Sequence, residues 1–270
     1  MELSLPWKRL GLLLSCVLAS ATLLSAQQSP PSTLAGAIPQ EESAEMQLQV
    51  AAQAHEATRG RQGPRRLQLL HDAVEYYRAV AFWWPQAGEE RAVAAFRRGE
   101  VHRALLEAGA ARGAFEETLE AANKASDFYI RALLALGSLD RQENRWGDAL
   151  QRYRAAVACQ EASVRYRNDA REWIVKVHLS TMAWQAAEVA AGQWLATCEG
   201  PVEEIQIVDF QIRALIGARQ LRAADSAIRA LLERMAVLAA APTHEGARIQ
   251  SALEQMKAPA ALKLARQNGR

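Results

Sequence analysis

The sequence predicts an all-α protein: an α-solenoid of about five antiparallel helix pairs, followed by a C-terminal capping helix. The composition favours helices, because the 270 residues include 55 Ala but only 15 Gly and 9 Pro, and Ala is the best helix former. Apolar residues recur with the 3.6-residue spacing of amphipathic helices. A repeat of 38 residues groups these helices into pairs, which bury their apolar faces by stacking on one another.

A column of alanines marks the repeat. Ala73, Ala111, Ala149 and Ala187 are each 38 residues apart. The columns of rarer residues that keep this period are Gly99 and Gly137, Trp146 and Trp184, and the aromatic residues Tyr77, Phe115 and Tyr153. Each of these aromatic residues follows its alanine by four positions, so both lie on the same face of a helix. A fifth unit follows one residue early and has Ala224 in the alanine column.

The helix boundaries follow from the apolar spacing and the turn residues. In the first unit, Gly63 and Pro64 come just before a predicted helix over Arg65 to Trp83. The third unit predicts helices over Ser126 to Gln142 and Trp146 to Gln160. Residues 205–212 alternate enough to suggest a strand, but their apolar side chains also share one helical face, so we expect a helix. A last helix is predicted from about Glu245 to Met256.

This pattern resembles the tetratricopeptide repeat (TPR) family, whose unit is a helix-turn-helix of about 34 residues. The matching residues are Leu136-Gly137, Ala149, Tyr153 and Ala156, with Pro85 as the closing proline of the first unit. The resemblance covers roughly residues 42–236. This chain departs from the family in its longer period, in Arg98 and Arg171 at usually apolar positions, and in Ala191 at the aromatic position of the fourth unit. A neighbouring α-solenoid family remains an alternative.

The N-terminal region has the pattern of an export signal. Residues 1–26 contain Lys8 and Arg9, then an apolar run over 10–24, then small residues suited to cleavage after Ala26, or after Ala21. The run is shorter than the roughly 20 residues that span a bilayer, although a retained anchor over 10–24 and a lipidated Cys16 are alternatives. Residues 27–40 are expected to form a flexible linker, 41–256 the repeat domain, and 257–270 a solvated basic tail.

The charge balance and the motifs argue against nucleic-acid binding and catalysis. The formal net charge is only +2, and no nucleophile elbow, phosphate-binding Gly loop or paired Cys or His motif is present. His102, Asp140 and His178 share one column, but helices about 8–10 Å apart cannot bring them to one zinc ion. We therefore expect no catalytic residue, metal or cofactor. Cys159 and Cys198 are expected to be buried free thiols.

The resemblance implies that the first helix of each pair lines a concave groove. The residues expected to point into it are Phe96, Glu100, Arg103, Arg131, Leu134, Ser138, Arg141, Asp169, Glu172 and Lys176. This mixture of apolar and charged side chains is typical of a site for a peptide or a partner helix.

The expected function is a non-catalytic protein-protein interaction scaffold of the bacterial cell envelope, periplasmic or secreted. A bacterial source is favoured because 27 Arg against 5 Lys, together with the many Ala, suit a GC-rich genome. Two alternatives stay open: an assembly factor tethered to the membrane by the N-terminal segment, and an accessory domain of an envelope enzyme.

Overall fold

A computed structural model describes residues 35–268, and every regular element within that range is helical. A single 3-10 turn at Ala35–Ala37 comes first. The α-helices that follow are α1 (Ala44–Glu56), α2 (Gly63–Trp83), α3 (Gly88–Ala104), α4 (Ala108–Ala121), α5 (Asp127–Gln142), α6 (Trp146–Ala158), α7 (Val164–Ser180), α8 (Trp184–Leu195), α9 (Pro201–Gly217), α10 (Leu221–Ala240), α11 (His244–Glu254) and α12 (Ala258–Asn268). The prediction of an all-α fold is confirmed, and residues 205–212 belong to helix α9.

Helices α1 to α10 form the five predicted pairs, because each helix packs against the next along the chain. The first helices of neighbouring pairs (α1, α3, α5, α7 and α9) also contact one another directly. Within the described range, the second helices of these pairs make no such contacts with each other. The first helices are therefore closer together, so the stack of pairs curves with the first helices on its inner side.

The turn inside each pair from the second onward has the same backbone conformation. Leu106, Asn144, Met182 and Arg219 have φ of 62°, 58°, 58° and 61°, which is the left-handed region. In each turn the next N–H donates to a carbonyl five residues earlier, as in the Schellman motif. These bonds run from Glu107 to His102, Arg145 to Asp140, Ala183 to His178 and Gln220 to Leu215, at 2.9, 2.8, 2.8 and 2.9 Å. The turns thus repeat at the 38-residue period, with the fifth unit one residue early.

A glycine on the first helix makes room for an aromatic ring on the second. A Cβ at Gly99 would lie 2.5 Å from the Phe115 ring, and one at Gly137 would lie 2.6 Å from the Tyr153 ring. In the fourth pair the same two columns hold Val175 and Ala191, and both residues are fully buried in one apolar cluster. The fourth pair therefore exchanges the large and small residues between its helices, which accounts for the missing aromatic residue.

The two arginines at usually apolar positions have polar partners. Arg98 on α3 forms an ion pair with Glu117 on α4. Arg171 on α7 donates a hydrogen bond to the Asn168 side-chain oxygen at 2.6 Å. These contacts allow guanidinium groups to lie between helices where apolar side chains are usual.

The C-terminal region differs from the prediction. The expected capping helix corresponds to α11, but the expected solvated tail instead forms α12 over most of its length. Ala258 and Leu262 are 0% and 4% exposed, because they pack on α9 and α10. The carboxylate of Asp209 on α9 accepts hydrogen bonds from the N–H groups of Lys257 and Ala258, at 2.8 and 2.7 Å. A side chain 48 residues away thus caps the last helix.

The two cysteines of the repeat domain are free but only half-buried, not fully buried as expected. Burial raises the pKa of both thiols, Cys159 and Cys198. The predicted export signal, Cys16 and most of the linker lie outside the described residues. Between residues 35 and 268, no helix is both long and apolar enough to cross a bilayer.

Candidate functional site

The inner side of the stack carries a series of cationic side chains placed over aromatic rings. Helices α3, α5, α7 and α9 contribute them. This inner row consists of Phe96, Arg97, Phe128, Arg131, Arg141, Tyr166, Trp173, Lys176, Phe210 and Arg213. Cations within about 6 Å of a ring centroid are attracted by the negative face of the ring.

Arg131 lies at the centre of the first half of the row. Its guanidinium carbon is 4.3 Å from the centroid of the Phe96 ring, 4.9 Å from that of Phe128 and 5.8 Å from that of Tyr166. The Glu100 carboxylate lies 3.7 Å from the same guanidinium. One arginine therefore bridges three successive first helices and remains partly open to solvent.

Trp173 lies at the centre of the second half of the row. The Arg141 guanidinium lies 4.5 Å from its ring centroid, and the Lys176 ammonium lies 4.6 Å from it. The indole also stacks on the buried Tyr153 ring, with 6.2 Å between centroids and 16° between planes. Burial raises the pKa of Tyr153 to about 12, so this tyrosine stays neutral. Trp173 thus joins the inner face to the core of the third pair.

A cleft of about 740 Å³ continues the row between α7, α9 and the segment after α11. Its lining includes the Trp173 and Phe210 rings of the inner row. Its cations are Lys176, Arg213 and Lys257, and its acids are Glu172 and Asp209. Asp209 already accepts the two backbone bonds at the start of α12, and Glu172 pairs with Lys176 at 2.5 Å. We refer to this space as the terminal cleft.

One carboxylate on the inner face of α7 has a perturbed pKa. Burial raises the pKa of Asp169, and the charge of Glu172 raises it further. Arg165 and Lys176 act in the opposite direction. Asp169 therefore lies in a partly desolvated setting, where ion pairing with a partner would contribute more than at an open surface.

The ten predicted groove residues differ in their exposure to solvent. Phe96 is 4% exposed and packs between the Phe115 and Phe128 rings, so the expectation that it points outward is wrong. Arg103 is exposed, and the other eight residues are half-buried. Leu134 packs against the apolar cluster around Tyr153.

Several members of the inner row were absent from the predicted set. Phe128 and Tyr166 are 38 residues apart, so the repeat itself contained the signal that relates them. Trp173 had no such signal, because the equivalent position of the preceding unit is the buried Ala135. Phe210 was missed because no groove residue was assigned to α9.

In the column of His102, Asp140 and His178, the first two side chains pair with the charged residue five positions later, at the start of the next helix. His102 contacts the Glu107 carboxylate at 2.6 Å, and Asp140 accepts hydrogen bonds from Arg112 and Arg145. In the part of the chain that the structure describes, no three His, Cys, Asp or Glu side chains come together as metal ligands would.

Comparison with solved structures finds helical-repeat proteins. BtubC (BKLC) from P. vanneervenii matches with a TM-score of 0.52 and 14% identity, over 76% of this chain and 95% of that chain. A Podosopora anserina kinesin light chain with nearly identical TPR-like repeats gives 0.52 and 13%, over 73% and 98%. The fold is that of a TPR-like repeat protein.

A third neighbour agrees with this TPR-like fold. The MamA protein matches with a TM-score of 0.53 and 15% identity, over 74% of this chain and 97% of that chain. No family model and no curated protein matches the chain. At these identities the likeness establishes the TPR-like fold alone.

Proposed function

We propose that this protein is a non-catalytic scaffold of the bacterial cell envelope. In this proposal its inner row and terminal cleft bind a peptide or a helix of a partner protein. The proposal combines the TPR-like fold, the chemistry of the inner face and the export pattern of residues 1–26.

The observation that carries the proposal is the placement of the half-buried Trp173 ring between the cations of Arg141 and Lys176 on a partly open face. Aromatic and arginine side chains dominate the energetics of protein interfaces when a partner covers them. Their positions are already fixed by contacts such as Trp173 on Tyr153, so a partner meets a preordered surface. Apolar contacts with the rings would hold the partner, and charge pairs with Arg131 or Arg213 would set its register.

The envelope location is supported by the sequence pattern at the N-terminus. A cleaved signal would release the repeat domain as a soluble protein starting at Gln27. A retained apolar run over 10–24, or a lipidated Cys16, would instead tether it to a membrane as an assembly factor.

Affinity capture tests the proposed function. The full-length protein is expressed in its native envelope, cross-linked lightly and purified, and its partners are identified by mass spectrometry. The inner-face variant combines Arg141→Glu, in the inner row, with Arg103→Glu, the exposed residue of the predicted groove on α3. The matched control is Arg65→Glu, an exposed arginine in the first turn of second helix α2, where an acidic residue suits the helix dipole.

We expect one dominant partner that the control retains and the inner-face variant loses. Circular dichroism melts of both variants show whether each remains folded. Equal capture by a folded inner-face variant would contradict the proposed binding face. The N-terminal sequence of the purified chain distinguishes a soluble scaffold from a tethered one. A copurified enzyme whose activity depends on this chain would favour the accessory-domain alternative.

A further inference from the structure

A second groove lies between helices α6 and α8, with α7 as its floor. Its volume is about 520 Å³, and its apolar walls include Val157, Ile174 and Trp194. The charged and titratable residues in its lining are Arg154, Arg171 and His178, and no carboxylate lines it. We call this space the α6–α8 groove.

The groove is on the opposite side of α7 from the inner row. Arg171, Ile174 and His178 follow one another at intervals of three and four residues, so they share one helical face. Trp173 and Lys176 of the inner row are rotated about half a turn from that face, at 100° per residue. The two surfaces can therefore be tested separately.

The repeat allows this groove to be compared with its equivalents earlier in the chain. In the second pair, His102 contacts Glu107 at 2.6 Å. At the same two positions of the third pair, Asp140 contacts Arg145 at 2.7 Å. In the fourth pair these positions hold His178 and Ala183. Of these three side chains, His178 is the one that lacks an oppositely charged residue at the partner position.

A second column repeats this loss of a carboxylate. On α2, Arg78 pairs with Glu75 at 2.6 Å. Two repeats later, on α6, the equivalent of Arg78 is Arg154, but the equivalent of Glu75 is Gln151, which has no charge. Among the described residues, Arg154 and Arg171 form no ion pair. Two carboxylates of the earlier pairs, Glu75 and Glu107, are thus replaced by Gln151 and Ala183 next to the α6–α8 groove.

Neighbouring cations act on two titratable groups of the groove in addition to burial. Burial lowers the pKa of His178, and the nearby charge of Arg154 lowers it further. Burial also lowers the pKa of Arg171, with the charge of Arg167 acting in the same direction. Glu203 is the carboxylate that favours the charged form of Arg171, and it already accepts bonds from Asn168 and Trp194 at 2.6 and 2.9 Å.

We propose that the α6–α8 groove binds an acidic segment of a partner protein, in which carboxylate side chains alternate with apolar ones. Guanidinium groups match carboxylates in geometry, and the apolar walls accept the intervening side chains. Complementary charge also argues against the N-terminal segment of this chain as the occupant, because it has no Asp or Glu between Glu2 and Glu41. The proposal does not depend on the function assigned to the inner row.

Fluorescence anisotropy tests the proposal with the full-length protein. The probe is a short fluorescein-labelled peptide in which Glu and Val alternate, and the control probe has Gln in place of Glu. Arg154→Gln removes a cation. Ala183→Glu restores the carboxylate that His102 has in Glu107, and thereby lowers the positive charge at the groove by one. Ala183→Gln controls for side-chain size, and Arg78→Gln controls for loss of an arginine in the earlier groove.

We expect the acidic probe to bind and the Gln probe to bind at least about tenfold more weakly, since charge-assisted hydrogen bonds contribute factors of this order. Arg154→Gln and Ala183→Glu should each weaken the acidic probe by about tenfold, while both controls leave it unchanged. An NMR titration should show a higher pKa for His178 in Ala183→Glu, which verifies that the new pair has formed.

Three outcomes would overturn the proposal. The first is equal binding of the acidic probe by the wild type, Arg154→Gln and Ala183→Glu. The second is Arg154-dependent binding of phosphatidylglycerol vesicles without binding of the peptide, which would assign the groove to anionic lipid. The third is self-association in sedimentation that Arg154→Gln abolishes, which would assign it to a second copy of this chain.

Discussion

Replacing Gly137 by Ala tests whether the glycine column exists to admit an aromatic ring. The added Cβ would lie 2.6 Å from the Tyr153 ring, against the 3.5–4.0 Å or so of an ordinary carbon contact. Tyr153 is 0% exposed and stacked on Trp173, so its ring cannot move without displacing other groups. Overpacking costs about 1–3 kcal/mol, and the better helix propensity of Ala offsets about 1 kcal/mol. We expect a net loss of about 1 kcal/mol in the free energy of unfolding.

Gly113→Ala is the matched control for this prediction. Gly113 lies in α4, is exposed, and has nothing within 4 Å of an added Cβ. This variant should gain up to about 1 kcal/mol from helix propensity alone. Urea unfolding followed by circular dichroism measures both. If Gly137→Ala stabilises the protein as much as Gly113→Ala does, the steric account of the glycine column is wrong.

The exchange seen in the fourth pair extends the test to two positions. Gly137→Val with Tyr153→Ala reproduces the arrangement of Val175 and Ala191. The double variant should lose less stability than the two single variants together, by about 1 kcal/mol or more, because residues in contact couple by this order. Additive losses in urea unfolding would show that the two columns do not compensate each other.

Three further predictions concern a turn, the last helix and acid stability. Leu106→Gly should raise the free energy of unfolding by up to about 1 kcal/mol, because the left-handed conformation is costly for a residue with a Cβ; an unchanged or lower melting temperature would refute this. Asp209→Ala should speed amide exchange in α12 but not in α5, since it removes the cap of α12; protection that stays unchanged would refute the capping role. Burial lowers the pKa of His102 in the fold, so the unfolded chain binds more protons below about pH 6.5 and stability should fall as the pH drops through this value. In His102→Gln this fall should be smaller, and an equal fall would assign the effect to other groups.

The sequence by itself determined the repeating part of the fold. The period, the helix pairs and the positions of their turns follow from contacts between residues close in the chain. Gly137 and Tyr153 show this well, since one small and one aromatic residue on adjacent helices specify a close approach that recurs in the second pair as Gly99 and Phe115. Because contacts between adjacent helices recur in each repeat, the residues that make them recur at a fixed spacing. A single sequence is therefore enough to detect the repeat.

The tertiary structure alone decided which side chains form the surfaces. The resemblance to the TPR family implied that Phe96 faces the groove, but rings from α4 and α5 cover it and the Arg131 guanidinium lies over its ring. Residues 257–270 were expected to form a solvated tail, but they contain helix α12, whose first turn is capped by Asp209 of α9. Burial and capping here depend on residues brought together from different repeats, and no spacing along the chain encodes which of them meet.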